Sequence, residues 1–232
     1  MSALPVVLFV VGLAVVVLVA VLAYQADKKR RAALQSFALS NGWTYVARDD
    51  SWCERFAGAP FGDGDDRRAT NVLRGPYQGA DMVAFDYQYD THSTDSKGRR
   101  KTTTHRYAVC ALRLPAPLPG LELSPESALT RLAGVLGFDD VELESEDFNR
   151  KYRVKARDRK FAYDVLNPRT MAALLGRPSL HLRLLDLDAV CWENGRLVPT
   201  ELVARLSTLQ LLVAGIPAFV WSDQNPSGGT PA

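Results

Sequence analysis

Charge is missing from the first 26 residues, and histidine and cysteine are scarce throughout, at three each in 232 residues. Three cysteines (Cys53, Cys110 and Cys191), odd in number and far apart, exclude a disulfide framework, and no CxxC or Cys/His spacing suits zinc. They are expected to be buried, reduced thiols. No GxSxG elbow, phosphate-binding Walker loop, strand-to-helix GxGxxG or HExxH is present, so the common hydrolase, nucleotide-binding and metalloprotease signatures are excluded. Setting aside Lys28–Arg31 and Asp27, residues 32–232 carry 24 basic and 25 acidic side chains, a balance that argues against a general nucleic-acid binder. No cofactor is expected.

What is present begins with a long apolar run. From Leu4 to Tyr24 only Pro5 and Gly12 are neither aliphatic nor aromatic. These residues make roughly 31 Å of helix, the thickness of a bilayer's hydrocarbon core. Tyr24 stands where an interfacial aromatic belongs, and Lys28, Lys29, Arg30 and Arg31 follow. A cleaved signal peptide would place its basic residues before the run and keep the run shorter. Residues 1–26 are therefore expected to be a transmembrane anchor. The basic cluster on its C-terminal flank is expected to put the N-terminus outside and the remainder in the cytoplasm, at the inner (plasma) membrane.

Residues 27–42 continue as a juxtamembrane helix, with Ala33, Leu34, Phe37 and Ala38 at helical spacing and Asn41-Gly42 as its stop. A domain over 43–221 follows. Trp43–Val46 is a first strand, and Arg67–Arg74, Ala80–Asp90 and Thr102–Leu114 form an antiparallel meander, turning at Gly75–Gly79 and at a polar tip over 90–101. Pro115, Pro117 and Pro119 suggest an extended connector, and Ser124-Pro125-Glu126 the start of a helix to Leu136. Beyond it come a short strand at Val141–Leu143, a helical turn at Glu146–Lys151, a strand at Tyr152–Ala156 and a helix capped by Asn167-Pro168. Leu180–Leu184 and Val190–Trp192 have the pattern of a hairpin, Asn194-Gly195 that of a tight turn into another strand, and Glu201–Ala214 that of an amphipathic helix. The tail 222–232, rich in Pro, Gly and Ser, is expected to be disordered. Strands and helices in this order make the class α+β. A split at the prolines into two subdomains is the alternative to one continuous domain.

Three clusters carry chemistry in principle. His92, His105 and Asp90 would approach a metal site if the hairpin paired them, but Lys97, Arg99, Arg100 and Lys101 on the same tip oppose a cation. Asp63, Asp65 and Asp66 lack the terminal Glu of a calcium loop. Glu142, Glu144, Glu146 and Asp147 lie beside Arg150 and Lys151 as a charge-balanced surface. The basic groups themselves, Lys28, Lys29, Arg30, Arg31, Lys97, Arg99, Arg100 and Lys101, are candidates for contact with anionic lipid, each worth about 1 kcal/mol near such a surface.

The segments Phe56–Phe61, Gly75–Gly79 leading into Val83–Tyr89, and Phe148–Val154 with Ala162, Asn167-Pro168 and Leu174-Leu175 resemble membrane-anchored bacterial proteins with a C-terminal domain of unknown function. The resemblance spans Trp43 to Leu175 and implies no catalytic residues. The expected function is a membrane-anchored cytoplasmic binding or scaffolding module, not an enzyme, whose partners are the lipid bilayer and a protein at the membrane face. The alternative is an enzyme acting on a membrane-associated substrate through His105, Asp86 and Tyr107.

Overall fold

The computed structural model describes residues 4–96, 98–126 and 137–224. Its first element, α1 (Leu4–Ser40), is one unbroken helix. It is long and apolar enough to cross a membrane, and residues 7–26 are exposed throughout. From Asp27 on, one stripe turns inward: Asp27 and Arg30 are half-buried and Leu34 and Ala38 fully buried, a spacing of three and four that keeps one face of the helix against the sheet. Gly42, at φ +70°, takes the left-handed conformation that ends the helix, and Trp43 N–H returns to the Ala38 carbonyl at 2.8 Å.

A seven-stranded antiparallel sheet follows. β1 (Thr44–Arg48), β2 (Asp65–Tyr77), β3 (Ala80–Thr94) and β4 (Arg100–Pro125) are consecutive neighbours. β5 (Asp139–Val141) and β6 (Tyr152–Ala156) extend the far half of β4, and β7 (His181–Asn194) runs along β4's other side. Between β5 and β6 lies α2 (Glu146–Lys151), whose Ser145 hydroxyl caps Phe148 N–H. α3 (Arg159–Val165) and α4 (Pro168–Leu175) connect β6 to β7, with Asn167 capping α4. α5 (Pro199–Ala214) and α6 (Ala218–Gln224) close the described chain.

Period two along β3 and β4 divides the core. Ala84, Ala108, Cys110 and Leu112 face the helices, packing with Leu34, Leu202, Leu206 and Leu209. Val83, Phe85, Tyr87, Tyr107 and Val109 face the other way, under the 52–61 segment, with Phe56, Phe61 and Trp192. The sheet therefore has an aliphatic face under helices and an aromatic face under a loop. The fold is α+β with an N-terminal apolar helix, as the pattern of elements predicts.

Five expectations need correction. The prolines do not form a connector: β4 runs straight through Pro115, Pro117 and Pro119, with Leu114, Ala116 and Leu118 buried between them. Pairing with β3 ends at Leu112 and pairing with β6 begins at Leu121, so the prolines fall where that edge has no ladder to feed. Ser124 and Pro125 end β4 instead of starting a helix, and residues 127–136 lie outside the described region. Leu180–Trp192 is no hairpin but one strand, β7, bent near Asp186 (φ +51°) opposite an irregular stretch of β4. Asn194-Gly195 leads into a loop and α5, not into a strand, because Leu197 N–H is taken by Asp86. Of the expected disordered tail, residues 222–224 belong to α6 and the remainder lies outside the described region.

Candidate functional site

The side chains that meet where α1 crosses the sheet form a connected polar cluster. Asp86, on β3, is buried and accepts three hydrogen bonds: from Arg30 Nη1 at 2.7 Å, from Asn71 Nδ2 at 2.7 Å and from Leu197 N–H at 2.6 Å. Asn71 adopts φ +52° at an irregularity in β2, a conformation asparagine tolerates well, and Tyr45 hydroxyl donates to its Oδ1 at 2.8 Å. Arg30 reaches on to the Leu197 carbonyl at 3.2 Å and to Asp27 at 3.1 Å. Asp27 in turn receives Arg31 and Arg196 at 2.7 and 2.9 Å. Burial works against charge on Arg30, but Asp86 and then Asp27 outweigh it, so its pKa is raised. Burial likewise opposes ionisation of Asp27, yet Arg30 and Arg31 hold its carboxyl below the usual range.

Beside this cluster opens a cavity of about 200 Å³, into which six arginines converge: Arg30, Arg31, Arg48, Arg68, Arg106 and Arg196, against Asp27 and Asp86. Sheet register explains part of the convergence. Arg68, Gln88 and Arg106 are cross-strand neighbours on β2, β3 and β4, one pleat beyond Thr70, Asp86 and Ala108. Arg48 arrives from β1 and carries its own partner, Asp50, at 2.7 Å. The side chains of Arg68 and Arg106 are exposed and make no hydrogen bond or ion pair to any described residue, Arg68 adding only a weak, longer-range pull on Asp50.

The candidate lipid-contact residues divide. Lys28 and Lys29 point outward from α1. Arg31 is exposed but paired with Asp27, while Arg30 is half-buried, turned into the domain and engaged by Asp86. At the hairpin end Arg99 is bound to Asp95 at 2.8 Å, Arg100 and Lys101 are exposed on β4, and Lys97 lies outside the described residues. α1 leaves the domain toward this hairpin end. Its contacts climb from Trp43, bonded to the Pro76 carbonyl, through Asp86, to Arg196, beside the Arg106 carbonyl that accepts from Gly195 N–H.

The trio His105, Asp86 and Tyr107 does not assemble. Asp86 points to the helical face, whereas His105 and Tyr107 stack on Tyr89 on the aromatic face, with centroids 4.8 and 6.1 Å away. His92 and His105 do not oppose each other either: His92 pairs with Thr102 and His105 with Tyr89. No group of His, Cys, Asp or Glu among the described residues is arranged to hold a metal ion. The three cysteines are free and buried, and burial pushes the Cys53 thiol up to about 11, the wrong direction for a nucleophile.

Two features gave no sequence signal. Arg183 and Glu122 form a buried ion pair at 2.9 Å. The same guanidinium lies 4.6 Å over the Trp192 ring and donates to the Ala59 carbonyl at 2.7 Å, so it clamps the loop covering the aromatic face. A second, larger hollow of about 630 Å³ lies at the opposite end of the sheet, floored by Met82, Val83, Ala111 and Leu112 beside Trp52.

No family model matches the sequence, and no curated protein matches it at a significant level. Among solved structures, the crystal structure of the mycobacterial trehalose monomycolate transport factor A is similar, with a TM-score of 0.61 and 14% identity. It matches over 81% of this chain and 96% of that one. At that identity the likeness is one of fold.

Proposed function

We propose that the chain is a single-pass, membrane-anchored binding module with its N-terminus outside and its α+β domain at the cytoplasmic face of the inner membrane. In this reading it carries no catalytic site and serves by holding a partner at the bilayer. The observation that carries the reading is the continuity of α1: residues exposed and apolar over 7–24 belong to the same helix that Leu34, Ala38 and the Arg30–Asp86 pair fix to the sheet. Tyr24 and Arg30 are six residues apart, so the domain is held roughly 9 Å from the headgroup region. Lys28 and Lys29, exposed on that stretch, suit the cytoplasmic side and contact with anionic lipid. The fold likeness to a transport factor fits an accessory role in moving something at a membrane better than it fits an enzyme.

Fractionation tests the anchor and protease shaving the orientation. The full chain is expected to stay in membranes through carbonate washing, and its domain to resist protease on spheroplasts but not on inverted vesicles. Release by carbonate, or digestion from outside, refutes the assignment. Purification from membranes with no specific partner refutes the binding role.

A further inference from the structure

We infer that the arginine-lined cleft beside α1 is a binding site for the phosphate of an anionic lipid headgroup, drawn from the inner leaflet. This rests on the membrane-anchored reading above and adds a ligand class to it.

The first argument is unspent charge. Asp86 and Asp27 are saturated by Arg30, Arg31 and Arg196, and Arg48 is held by Asp50. Arg68 and Arg106, flanking Gln88 in one cross-strand row, then face the cavity without a hydrogen-bonded or ion-paired carboxylate among the described residues. Like charges converging on one hollow repel, and an anion between them turns the repulsion into binding. Arg30 Nε, buried at the same junction, has no hydrogen-bond partner among the described residues.

Shape and chemistry narrow the anion. A cavity of about 200 Å³ accepts a phosphate with part of its glycerol and excludes a polymer. Guanidinium forks match phosphate oxygens two at a time. Donors from β2, β3 and β4 surround a tetrahedral group better than a flat carboxylate. Position then names the source. Arg31 is seven residues past Tyr24, about 10 Å along α1, and the helix leaves toward this side of the sheet. The most concentrated phosphate within reach is the lipid surface itself.

The test uses the full chain in detergent, offered phosphatidylglycerol or phosphatidylcholine, with retained lipid counted by native mass spectrometry. Wild type is expected to retain phosphatidylglycerol preferentially, and R68Q/R106Q to lose that preference roughly thirtyfold, at about fivefold per basic residue. Both side chains are exposed, so the thermal melt of R68Q/R106Q should match wild type, and R150Q/R169Q, exposed residues on α2 and α4 outside the cleft, should keep the preference. A folded R68Q/R106Q that holds phosphatidylglycerol as well as wild type overturns the site. So does equal retention of both lipids, or loss of the preference in R150Q/R169Q alone. Glycerol 3-phosphate binding as tightly as the lipid overturns the membrane source and leaves a soluble phosphate ligand. A chain that carbonate releases from membranes but that still selects phosphatidylglycerol through Arg68 and Arg106 refutes the anchor while sparing the cleft.

Discussion

Replacing Asp86 by alanine should loosen α1 from the domain, and the cost follows from what the carboxylate holds. It accepts from Arg30, Asn71 and Leu197 N–H, all at 2.6–2.7 Å, with its side chain 10% exposed and that of Arg30 19% exposed. Removing one partner of a fully buried ion pair costs about 3–5 kcal/mol. Partial hydration of Arg30 moves this pair to the low end, about 3 kcal/mol. For a domain of this size that lowers the melting temperature by roughly 6–12 °C. Arg30→Met should cost less, about 2 kcal/mol, because Asp86 keeps two of its donors. The assay is thermal and urea unfolding of D86A, R30M and the double variant in one detergent, with tryptic cleavage at 28–31 as a local readout. The double variant should be less destabilised than the sum of the singles by about 1–2 kcal/mol, and D86A should be cut faster. Additivity within about 0.5 kcal/mol would show that helix and sheet are not coupled through this pair, and the reasoning would fail.

His181 gives a pH prediction. Burial, then the nearby Arg183 charge, lowers its pKa from 6.5 to about 4, so between those values the unfolded chain binds the extra proton. Its contribution is intact above pH 6.5 and lost as pH falls toward 4, about 3 kcal/mol in all, and His181→Phe should flatten that part of a urea-midpoint profile against pH. Arg183→Met should cost about 3–5 kcal/mol by stranding Glu122 and freeing the loop carbonyls, and Arg183→Lys should recover under half of it, since one ammonium cannot replace the fork; limited proteolysis across 55–62 reads both. Gly75→Ala would drive a methyl into the Trp43 ring, which sits against the start of the sheet, for about 1–3 kcal/mol and a shift in tryptophan emission.

Local signals were legible and distant ones were not. The apolar run, the Asn41-Gly42 stop, the β2–β3 turn and the Asn167-Pro168 start each depend on neighbours in sequence, and their elements stand where the pattern puts them. β4 was misjudged because three prolines normally exclude a strand, and only the gap between two partner strands makes them harmless. β7 looked like two strands because the Asp186 bend interrupts its alternation. α3 and α6, at seven residues each, are too short for periodicity to show. Among the cleft residues only Arg30 and Arg31 formed a visible cluster. Arg48, Arg68, Arg106 and Arg196 come from four separate segments, and sheet register alone gathers them. Asp86 keeps different company from His105 and Tyr107, because adjacent strand residues point to opposite faces.

The proline stretch of β4 also protects the molecule from its own kind. An open strand edge is an invitation to a foreign chain, which docks by exchanging main-chain hydrogen bonds and can seed fibrils. Between Leu112 and Leu121 that edge pairs with neither β3 nor β6, and Pro115, Pro117 and Pro119 have no N–H to offer, so an incoming strand meets acceptors without matching donors. The gap between two partner strands is thereby made sterile.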